Sequence, residues 1–366
     1  MVRPDSGAVL RMTAIAVLRH LAFGVCLALL SAGIVRAMIA VGVMDTPDAG
    51  NPRQRKAHEQ AIPKGGGVGI VAAFLVGIYV LYRYANFARL AEPYFGGLIE
   101  ASAAIALVAF LDDLRDWPFM VKLVAQILAA LAAVGTGLYV SEFRVPYVGP
   151  LQAGWFGAVV TVGWIVFTTN AMNFIDGLDG LAAGVALVAS LFLTVIAAEQ
   201  GGSFVYFASL LLAAGLIGFL PFNFPRARIF MGDVGSQFCG FVLAVLGIAA
   251  SRFEAVELSF LIVPMLLNGV LFDVAFTLVR RALQGQAVTQ GHRGHIYQVA
   301  HRSGMPAPSV AMTHWGFAAL GGLACLWFIA SSPGWKAVIP FTLLGPQSAW
   351  VIYVRGRAAA AGVERW

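Results

Sequence analysis

Carboxylate side chains stand at two places in the sequence where they could bind a metal ion or move a proton. Asp112 and Asp113 are adjacent in FLDDLRD, and Asp233 lies between glycines in MGDVG. Because adjacent carboxylates repel each other, a cation should compensate them, which indicates divalent-metal or general-base chemistry. A solvated helix end beside Arg115 is the alternative explanation for the aspartate pair.

The segment TTNAMNFIDGLDGL repeats polar side chains at every third position, namely Asn170, Asn173, Asp176 and Asp179. Each step of three residues turns an ideal helix by about 300°, so the four side chains cannot converge on one straight helix. We therefore expect the helix to end near Asn173, with Gly177 and Gly180 forming a loop before the next helix. Backbone N–H groups there would face an anion or a polar ligand. A capped turn between two helices is the alternative.

The segment FNFPRARIFMGDVGS combines Asn223, two arginines, Phe230 and the carboxylate of Asp233. Hard oxygen ligands beside basic residues suit a site for Mg²⁺ and phosphate. Phe230 could stack on a base, although an isolated aromatic residue more often anchors a chain at the membrane interface.

Basic side chains gather in TQGHRGHIYQVAHR, which contains His292, Arg293 and His295. The two histidines are three residues apart, a spacing compatible with one helix face. We interpret the segment as an anion-binding loop, because no cysteine or HExxH pattern supports zinc. A basic cytoplasmic loop is the alternative. Lys64 in IPKGGG gives a weaker signal, and Lys122 is either a snorkelling anchor or a phosphate contact.

The composition identifies the elements that must position these residues. Hydrophobic residues make up 60% of the 366 residues and charged residues 11%, and the mean hydropathy is +0.82. These values exclude a soluble enzyme, a disordered chain and a disulfide scaffold, and they predict an all-α polytopic membrane protein of one domain. About eleven spans are expected, with ten as the lower limit: 21–43, 65–83, 94–111, 119–140, 154–171, 179–198, 203–222, 235–251, 256–280, 311–331 and 336–354.

The distribution of Lys and Arg predicts which loops face the cytoplasm. They concentrate in alternate loops that also hold the polar motifs, namely 44–64, 112–118, 172–178, 223–234 and 281–310. By the positive-inside rule these loops are cytoplasmic, although the basic N-terminus points the other way. The spans themselves carry almost no ionisable groups, which disfavours an alternating-access transporter. No basic stripe with interleaved aromatic residues indicates nucleic acid.

Together the four motifs resemble those of the polyprenyl-phosphate N-acetylhexosamine-1-phosphate transferase superfamily, glycosyltransferase family 4, over about residues 20–355. The resemblance implies that undecaprenyl phosphate attacks the β-phosphorus of a UDP-N-acetylhexosamine, so that UMP leaves and a lipid diphosphate sugar remains. It implies dependence on Mg²⁺, with Mn²⁺ as a substitute. It also implies an active site on the cytoplasmic face of the bacterial inner membrane, and a homodimer.

The resemblance carries roles over to individual positions. Asp233 and Asn173 match metal ligands. The catalytic set is Asp112, Asp113, Lys122, Asp176, His292 and His295. The substrate-binding set is Lys64, Asn170, Gly177, Asp179, Asn223, Phe230 and Arg293. Because the second pKa of a phosphate monoester is about 6, we expect the aspartate pair to position the lipid phosphate rather than deprotonate it.

One difference from the family's motifs indicates which branch of the family this chain resembles. The peptidoglycan-type members carry consecutive histidines where this chain reads HRGHIYQ. The loop is more similar to that of the O-antigen initiating branch, which predicts a donor carrying N-acetylglucosamine or a 6-deoxy sugar such as N-acetylfucosamine or N-acetylquinovosamine. A phospho-N-acetylmuramoyl-pentapeptide transferase is the alternative. Weaker alternatives are an intramembrane prenyltransferase, because DDLRD fits a DDxxD pattern, and a transporter of lipid-linked sugars.

Overall fold

The computed structural model describes residues 14–42, 44–45, 62–84, 92–115, 117–145, 149–252, 259–287 and 292–363. Over these residues the chain is helical almost throughout. The helices are α1 Ala14–Val41, α2 Gly67–Tyr84, α3 Glu92–Arg115, α4 Phe119–Gly135, α5 Gly154–Ile175, α6 Leu181–Gln200, α7 Ser203–Asn223, α8 Gly232–Arg252, α9 Ile262–Leu266, α10 Asn268–Leu283, α11 Ile296–Arg302, α12 Ala307–Ala330, α13 Pro333–Thr342 and α14 Leu344–Ala360.

Two short antiparallel pairs of strands complete the described structure. The pair β1 Met44–Asp45 and β2 Ile62–Pro63 lies beside the start of α2. The pair β3 Glu142–Val145 and β4 Gly149–Gln152 joins α4 to α5. The sequence did not predict either pair, because each is too short to carry an alternating pattern.

Apolar helices long enough to cross a membrane confirm the predicted class, an all-α polytopic membrane protein. Eight segments in the described part of the chain qualify by length and composition: α1, α2, α5, α6, α7, α8, α12 and the pair α13–α14. The other three expected spans correspond to α3, to the 17-residue α4 and to the pair α9–α10. The predicted number of eleven is therefore not confirmed by these criteria.

The expected span 256–280 is interrupted near its middle. Helix α9 ends at Leu266 and α10 begins at Asn268. The amide of Asn268 donates to the carbonyls of Met265, at 2.8 Å, and Phe317, at 2.7 Å, and it accepts a hydrogen bond from Gln347 at 2.6 Å. The break is stable inside apolar surroundings because side chains satisfy the backbone groups that it frees. The expected span 336–354 is divided in the same way, with Leu343 between α13 and α14.

Helix α8 is the centre of the bundle. It packs against α2, α3, α5, α6, α7 and α9, and 94% of its apolar segment is buried inside the protein. A helix that is apolar on all sides and enclosed in this way is a core element rather than a lipid-facing one. Its first turn begins with Gly232 and Asp233, so the core of the bundle directly positions the aspartate of the MGD motif.

Candidate active site

Three carboxylates and one ammonium group meet where α3, α4 and α8 have their ends. Lys122 in the first turn of α4 contacts Asp112 at 2.8 Å and Asp233 at 3.1 Å. Asp112 also accepts a hydrogen bond from the backbone N–H of Trp117 at 2.8 Å. The sequence predicted a cation for the aspartate pair, and the structure identifies it as Lys122, which thus contacts carboxylates rather than serving only as an anchor.

Asp113 has a different environment from its neighbour Asp112. Its carboxylate accepts hydrogen bonds from the backbone N–H groups of Asp233, at 3.2 Å, and Val234, at 3.1 Å, so it caps the first turn of α8. Burial and the nearby charge of Asp233 raise the pKa of Asp113 to about 7, while Lys64 opposes the shift. Gly232 has φ +75°, and a Cβ there would lie 2.6 Å from the Asp113 carboxylate. The MGD motif therefore requires glycine at this position.

Asp233 is further held by amide side chains. Asn173 in the last turn of α5 donates to one carboxylate oxygen at 2.9 Å, and Gln237 donates to the other at 3.1 Å. Gln126 in α4 donates to Gln237 at 3.0 Å and pairs with Asn170. The chain of amides runs from the carboxylate into the membrane-spanning region. Asn170, predicted to bind substrate, is thus part of the support of Asp233, and substrate contact by it stays a prediction.

The donor set at Asp233 suits a hard divalent cation. The described residues contain no group of three or more His, Cys, Asp and Glu side chains arranged around one metal position. Mg²⁺ at phosphate-transfer sites is usually held by only one or two carboxylates, with water and substrate phosphates completing the shell. The Asp233 carboxylate and the amide oxygen of Asn173 are of this ligand type, and metal binding by them stays a prediction. The ammonium group of Lys122 lies beside Asp233.

The NFIDGLDG segment forms the turn between α5 and α6, as the sequence predicted. Helix α5 ends at Ile175, and Gly180 adopts φ +71° immediately before α6 begins at Leu181. Asp179 accepts a hydrogen bond from the backbone of Ala227 at 2.9 Å. The turn therefore binds the segment that follows α7.

Asn223 at the end of α7 ties the same two segments together from the other side. Its oxygen accepts the N–H of Gly180 at 2.8 Å, and its nitrogen donates to the carbonyl of Ile229 at 2.9 Å. Asn223 and Asp179 are both buried, at 4% and 9% exposure. Their hydrogen bonds give them a role in shaping the pocket wall, and direct contact with substrate stays a prediction for both.

The IPKGGG segment, the weakest signal in the sequence, is joined to the MGD loop. The N–H of Phe230 donates to Pro63 at 2.8 Å, and the N–H groups of Gly66 and Gly67 donate to Phe230 and Met231, both at 2.9 Å. This pairing brings Lys64 close enough to Asp113 for its positive charge to oppose the rise in the pKa of Asp113. Phe230 is half-buried, and stacking of its ring on a base stays a prediction.

The histidines of HRGHIYQ lie together but not on one helix face, so that part of the prediction is wrong. His292 precedes α11, whereas His295 is its N-cap, and the two rings stack with centroids 4.9 Å apart. The His295 ring is also 5.9 Å from the ring of Phe174, which follows Asn173. The loop thus borders the NFIDG turn. Arg293, on the same loop, is exposed.

Asp273 is the residue that sequence reasoning missed. It is 1% exposed in α10 and contacts His295 Nδ1 at 3.0 Å. It belongs to none of the sequence motifs, because it is a single acid within an apolar stretch. That property was itself a signal, since an ionisable residue inside a membrane span is a functional candidate.

Comparison with known proteins gives a consistent result. The family described as glycosyl transferase family 4 matches residues 95–251. The chain is 34% identical to the "Probable undecaprenyl-phosphate N-acetylglucosaminyl 1-phosphate transferase" of Bacillus subtilis over 266 residues, 72% of this chain and 71% of the relative. It is 30% identical to the "Decaprenyl-phosphate N-acetylglucosaminephosphotransferase" of Mycobacterium tuberculosis over 68% of this chain and 69% of the relative.

A third relative belongs to a different branch. The chain is 36% identical to the "Phospho-N-acetylmuramoyl-pentapeptide-transferase" of Latilactobacillus sakei over 207 residues, 51% of this chain and 61% of the relative. This match covers less of both proteins than the two N-acetylglucosamine relatives do.

Proposed function

The chain belongs to glycosyl transferase family 4, and from this premise we propose that it transfers a sugar 1-phosphate from a nucleotide sugar to a polyprenyl phosphate. The names of its relatives support both substrate classes. The arrangement of the site supports the same reaction, since carboxylates, lysines and histidines meet at the ends of membrane helices. A lipid acceptor and a water-soluble donor can meet only at such an interface.

We further propose that the donor is a UDP-N-acetylhexosamine and the acceptor undecaprenyl phosphate. The sugar is N-acetylglucosamine, as in the names of the two relatives matched over more than two thirds of their length, or a 6-deoxy sugar such as N-acetylfucosamine or N-acetylquinovosamine. The product, undecaprenyl-diphosphate-sugar, would initiate O-antigen or another surface polysaccharide. The protein would act in the bacterial inner membrane with its site facing the cytoplasm.

The proposed chemistry forms one bond and breaks one. An oxygen of the lipid phosphate attacks the β-phosphorus of the donor, and the bond from that phosphorus to the bridging oxygen breaks, which releases UMP. The second pKa of the lipid phosphate is about 6, so most of the acceptor needs no base at pH 7. When bound, Mg²⁺ would neutralise negative charge on the diphosphate. Asp233 and Asn173 would hold it.

The chain's own residues position the reactants. Lys122 contacts Asp112 and Lys64 lies near Asp113, so we expect their ammonium groups to bind phosphate oxygens. Asp112 and Asp113 hold Lys122 and the first turn of α8, respectively, so they act by orientation. The stacked pair His292 and His295 would contact the sugar phosphate.

The observation that carries the proposal is the Asp112–Lys122–Asp233 cluster at the first turn of the core helix α8. The experiment is UMP release by purified protein in detergent with Mg²⁺, undecaprenyl phosphate and a panel of UDP-sugars. UMP formed only when the lipid and one UDP-N-acetylhexosamine are both present is the expected result. Lipid-dependent turnover only with UDP-N-acetylmuramoyl-pentapeptide would favour the peptidoglycan branch, and UMP from no donor would contradict the proposed function.

A further inference from the structure

Asp273 is a buried acid that the proposed chemistry does not use. It lies in α10, more than two turns before the helix ends at Leu283, and is 1% exposed. A carboxylate in such surroundings is costly unless donors satisfy it. The groups that donate to its carboxylate therefore indicate the role of Asp273.

Within the described residues, Asp273 accepts hydrogen bonds from the histidine loop, residues 292–298, and from its own helix. One carboxylate oxygen is 3.0 Å from His295 Nδ1 and accepts the backbone N–H of Ile296 at 3.1 Å. The other accepts the backbone N–H of Tyr297 at 2.9 Å. Thr277 adds a long contact at 3.4 Å. One side chain thus fixes three consecutive residues of the loop.

The contact at His295 also determines the protonation of its ring. An ionised carboxylate can only accept hydrogen bonds, so Nδ1 must carry the proton. In this tautomer Nε2 carries no proton and can only accept a hydrogen bond. The side chain of His295 also accepts the backbone N–H of Gln298 in the capping box of α11. The groups near this ring are His292, Phe174 and Tyr297, stacked or tilted against it.

A second connection extends from the same loop to the NFIDG turn. Tyr297 is fully buried, and its hydroxyl donates to the carbonyl of Phe174 at 2.9 Å. A Cβ on Gly177 would lie 2.2 Å from that hydroxyl, so the turn packs directly against the Tyr297 hydroxyl. Asp273 holds the backbone of Tyr297, and Tyr297 supports the turn beside the proposed metal ligand Asn173.

We propose that Asp273 is a positioning residue for the transfer reaction. It holds the His295 ring and the backbone N–H groups of Ile296 and Tyr297, and so fixes the histidine loop against the NFIDG turn. This inference rests on the proposed function for the identity of the substrate. The geometry of the Asp273–His295 pair is independent of it.

The test is a double-mutant cycle between Asp273 and His295, with UDP-N-acetylglucosamine or whichever panel donor turns over as the probe. We expect Asp273→Ala to lower kcat about 10- to 100-fold with a smaller change in KM. Because Asp273 acts partly through His295, the loss in the Asp273→Ala, His295→Ala double variant should be smaller than the product of the two single losses. Asp273→Asn keeps an acceptor at one of the two oxygen positions, so its kcat should lie between those of the wild type and the Ala variant.

Thr194→Val provides the matched control. It removes a buried hydroxyl that bonds Ser190 and Ser209, toward the end of α6 away from the NFIDG turn, and should leave kcat within about twofold of the wild type. A multiplicative loss in the Asp273–His295 double variant, or an Asp273→Ala variant with wild-type kcat, would overturn the proposal. Should Asp273→Ala fail to fold, the Asp273→Asn variant takes its place in the cycle.

A second measurement does not depend on turnover. Nitrogen-15 spectra of histidine-labelled protein report which ring nitrogen carries the proton. The resonance that His295→Ala removes should show the Nδ1–H pattern in the wild type and lose it in an Asp273 variant. An unchanged pattern would contradict the inference even if the enzyme were active, whereas an inactive wild type with the expected pattern would contradict only the proposed function.

Discussion

At the scale of the residue, Lys122 is the side chain on which the charge of the site depends. Its ammonium group lies between Asp112 and Asp233, which come from two other helices. Lys122 is 24% exposed and Asp233 25%. The cluster is therefore partly desolvated, and removing its cation should affect the fold as well as the chemistry.

Replacing Lys122 by Met should destabilise the protein, because two carboxylates would remain without their counter-charge. Breaking a fully buried pair costs about 3–5 kcal/mol, and since a quarter of two of these side chains is exposed we expect about 1–3 kcal/mol. The measurement is thermal unfolding in detergent with EDTA. Mg²⁺ should restore stability to the Met variant more than to the wild type, since a cation can replace the ammonium group.

Lys122→Arg is the control, because it keeps a positive charge at the same place. A Met variant as stable as the wild type in EDTA would show that the aspartates are compensated by another group.

Replacing Asp233 by Ala should abolish turnover. Mutation of a residue that only supports a metal ligand typically lowers activity about 10- to 100-fold. Loss of the ligand itself should therefore lower activity more than about 100-fold. Mg²⁺-dependent UMP release measures the effect. Glu199→Gln, which neutralises an exposed carboxylate at the other end of α6, should leave the rate unchanged. Normal Mg²⁺-dependent turnover by Asp233→Ala would refute the metal assignment.

The sequence motifs identified the residues that meet but not how they are held. Asp112, Lys122 and Asp233 could be predicted because each lies at the end of an apolar stretch, where polar residues are conspicuous. Gln126 and Gln237 could not, because each is a single uncharged polar residue inside such a stretch. Asp273 gave a signal as a lone acid in a span, but its partner His295 could not be predicted. Their contacts cross more than 20 residues of sequence, a separation that no local pattern encodes.

At the scale of the element, the close approach of α2 to α8 determines where Lys64 lies. The first residue of α2 is Gly67, and a Cβ there would stand 2.3 Å from the backbone of Gly235 in the first turn of α8. The neighbouring Gly66 and Gly67 also donate backbone hydrogen bonds to the MGD loop. The glycines of IPKGGG thus have a packing role that their sequence alone left undefined.

Gly67→Ala should therefore lower both stability and activity. Overpacking of this kind costs about 1–3 kcal/mol, and here it would also move Lys64 away from the aspartates. Thermal unfolding and the KM for the nucleotide sugar are the two measurements. Gly163→Ala in α5 is the matched control, because nothing lies within 4 Å of a Cβ there. Equal behaviour of the two variants would mean that α2 can shift without consequence.

The interrupted helices show what hydropathy alone does not predict. Residues 256–280 are apolar throughout apart from isolated polar positions, so composition alone predicts one span. The break at Leu267 depends on Asn268 meeting Gln347 and the carbonyl of Phe317, partners far away in the sequence. The helices themselves were predictable because length and apolar content fix them, whereas the break depends on tertiary contacts.

At the scale of the whole molecule, the charged and polar motifs gather at one end of the bundle. The ends of α3, α5 and α7 and the starts of α4 and α8 meet there, and the β3–β4 hairpin lies where α4 ends and α5 begins. The polar end also carries more of the Lys and Arg, so it should face the cytoplasm.

A pair of single-cysteine variants measures this orientation in cells. In a background without Cys26, Cys239 and Cys325, Gln286→Cys should resist a membrane-impermeant thiol reagent and Ser332→Cys should react. Both positions are exposed and follow helices α10 and α12 at opposite ends of the bundle. The reverse labelling pattern would place the proposed site outside the cytoplasm, where nucleotide sugars are not made.

The central position of α8 has a consequence for biosynthesis. Most helices that enclose α8 precede it in the chain, and so do Asp112, Lys122 and Asn173, which contact Asp233. Once residues 1–252 have been synthesised, Asp233 and the residues that contact it are therefore all present in the nascent chain. Asp273 and the histidine loop follow later, so the carboxylate half of the site can assemble during translation, before the histidine half has been synthesised.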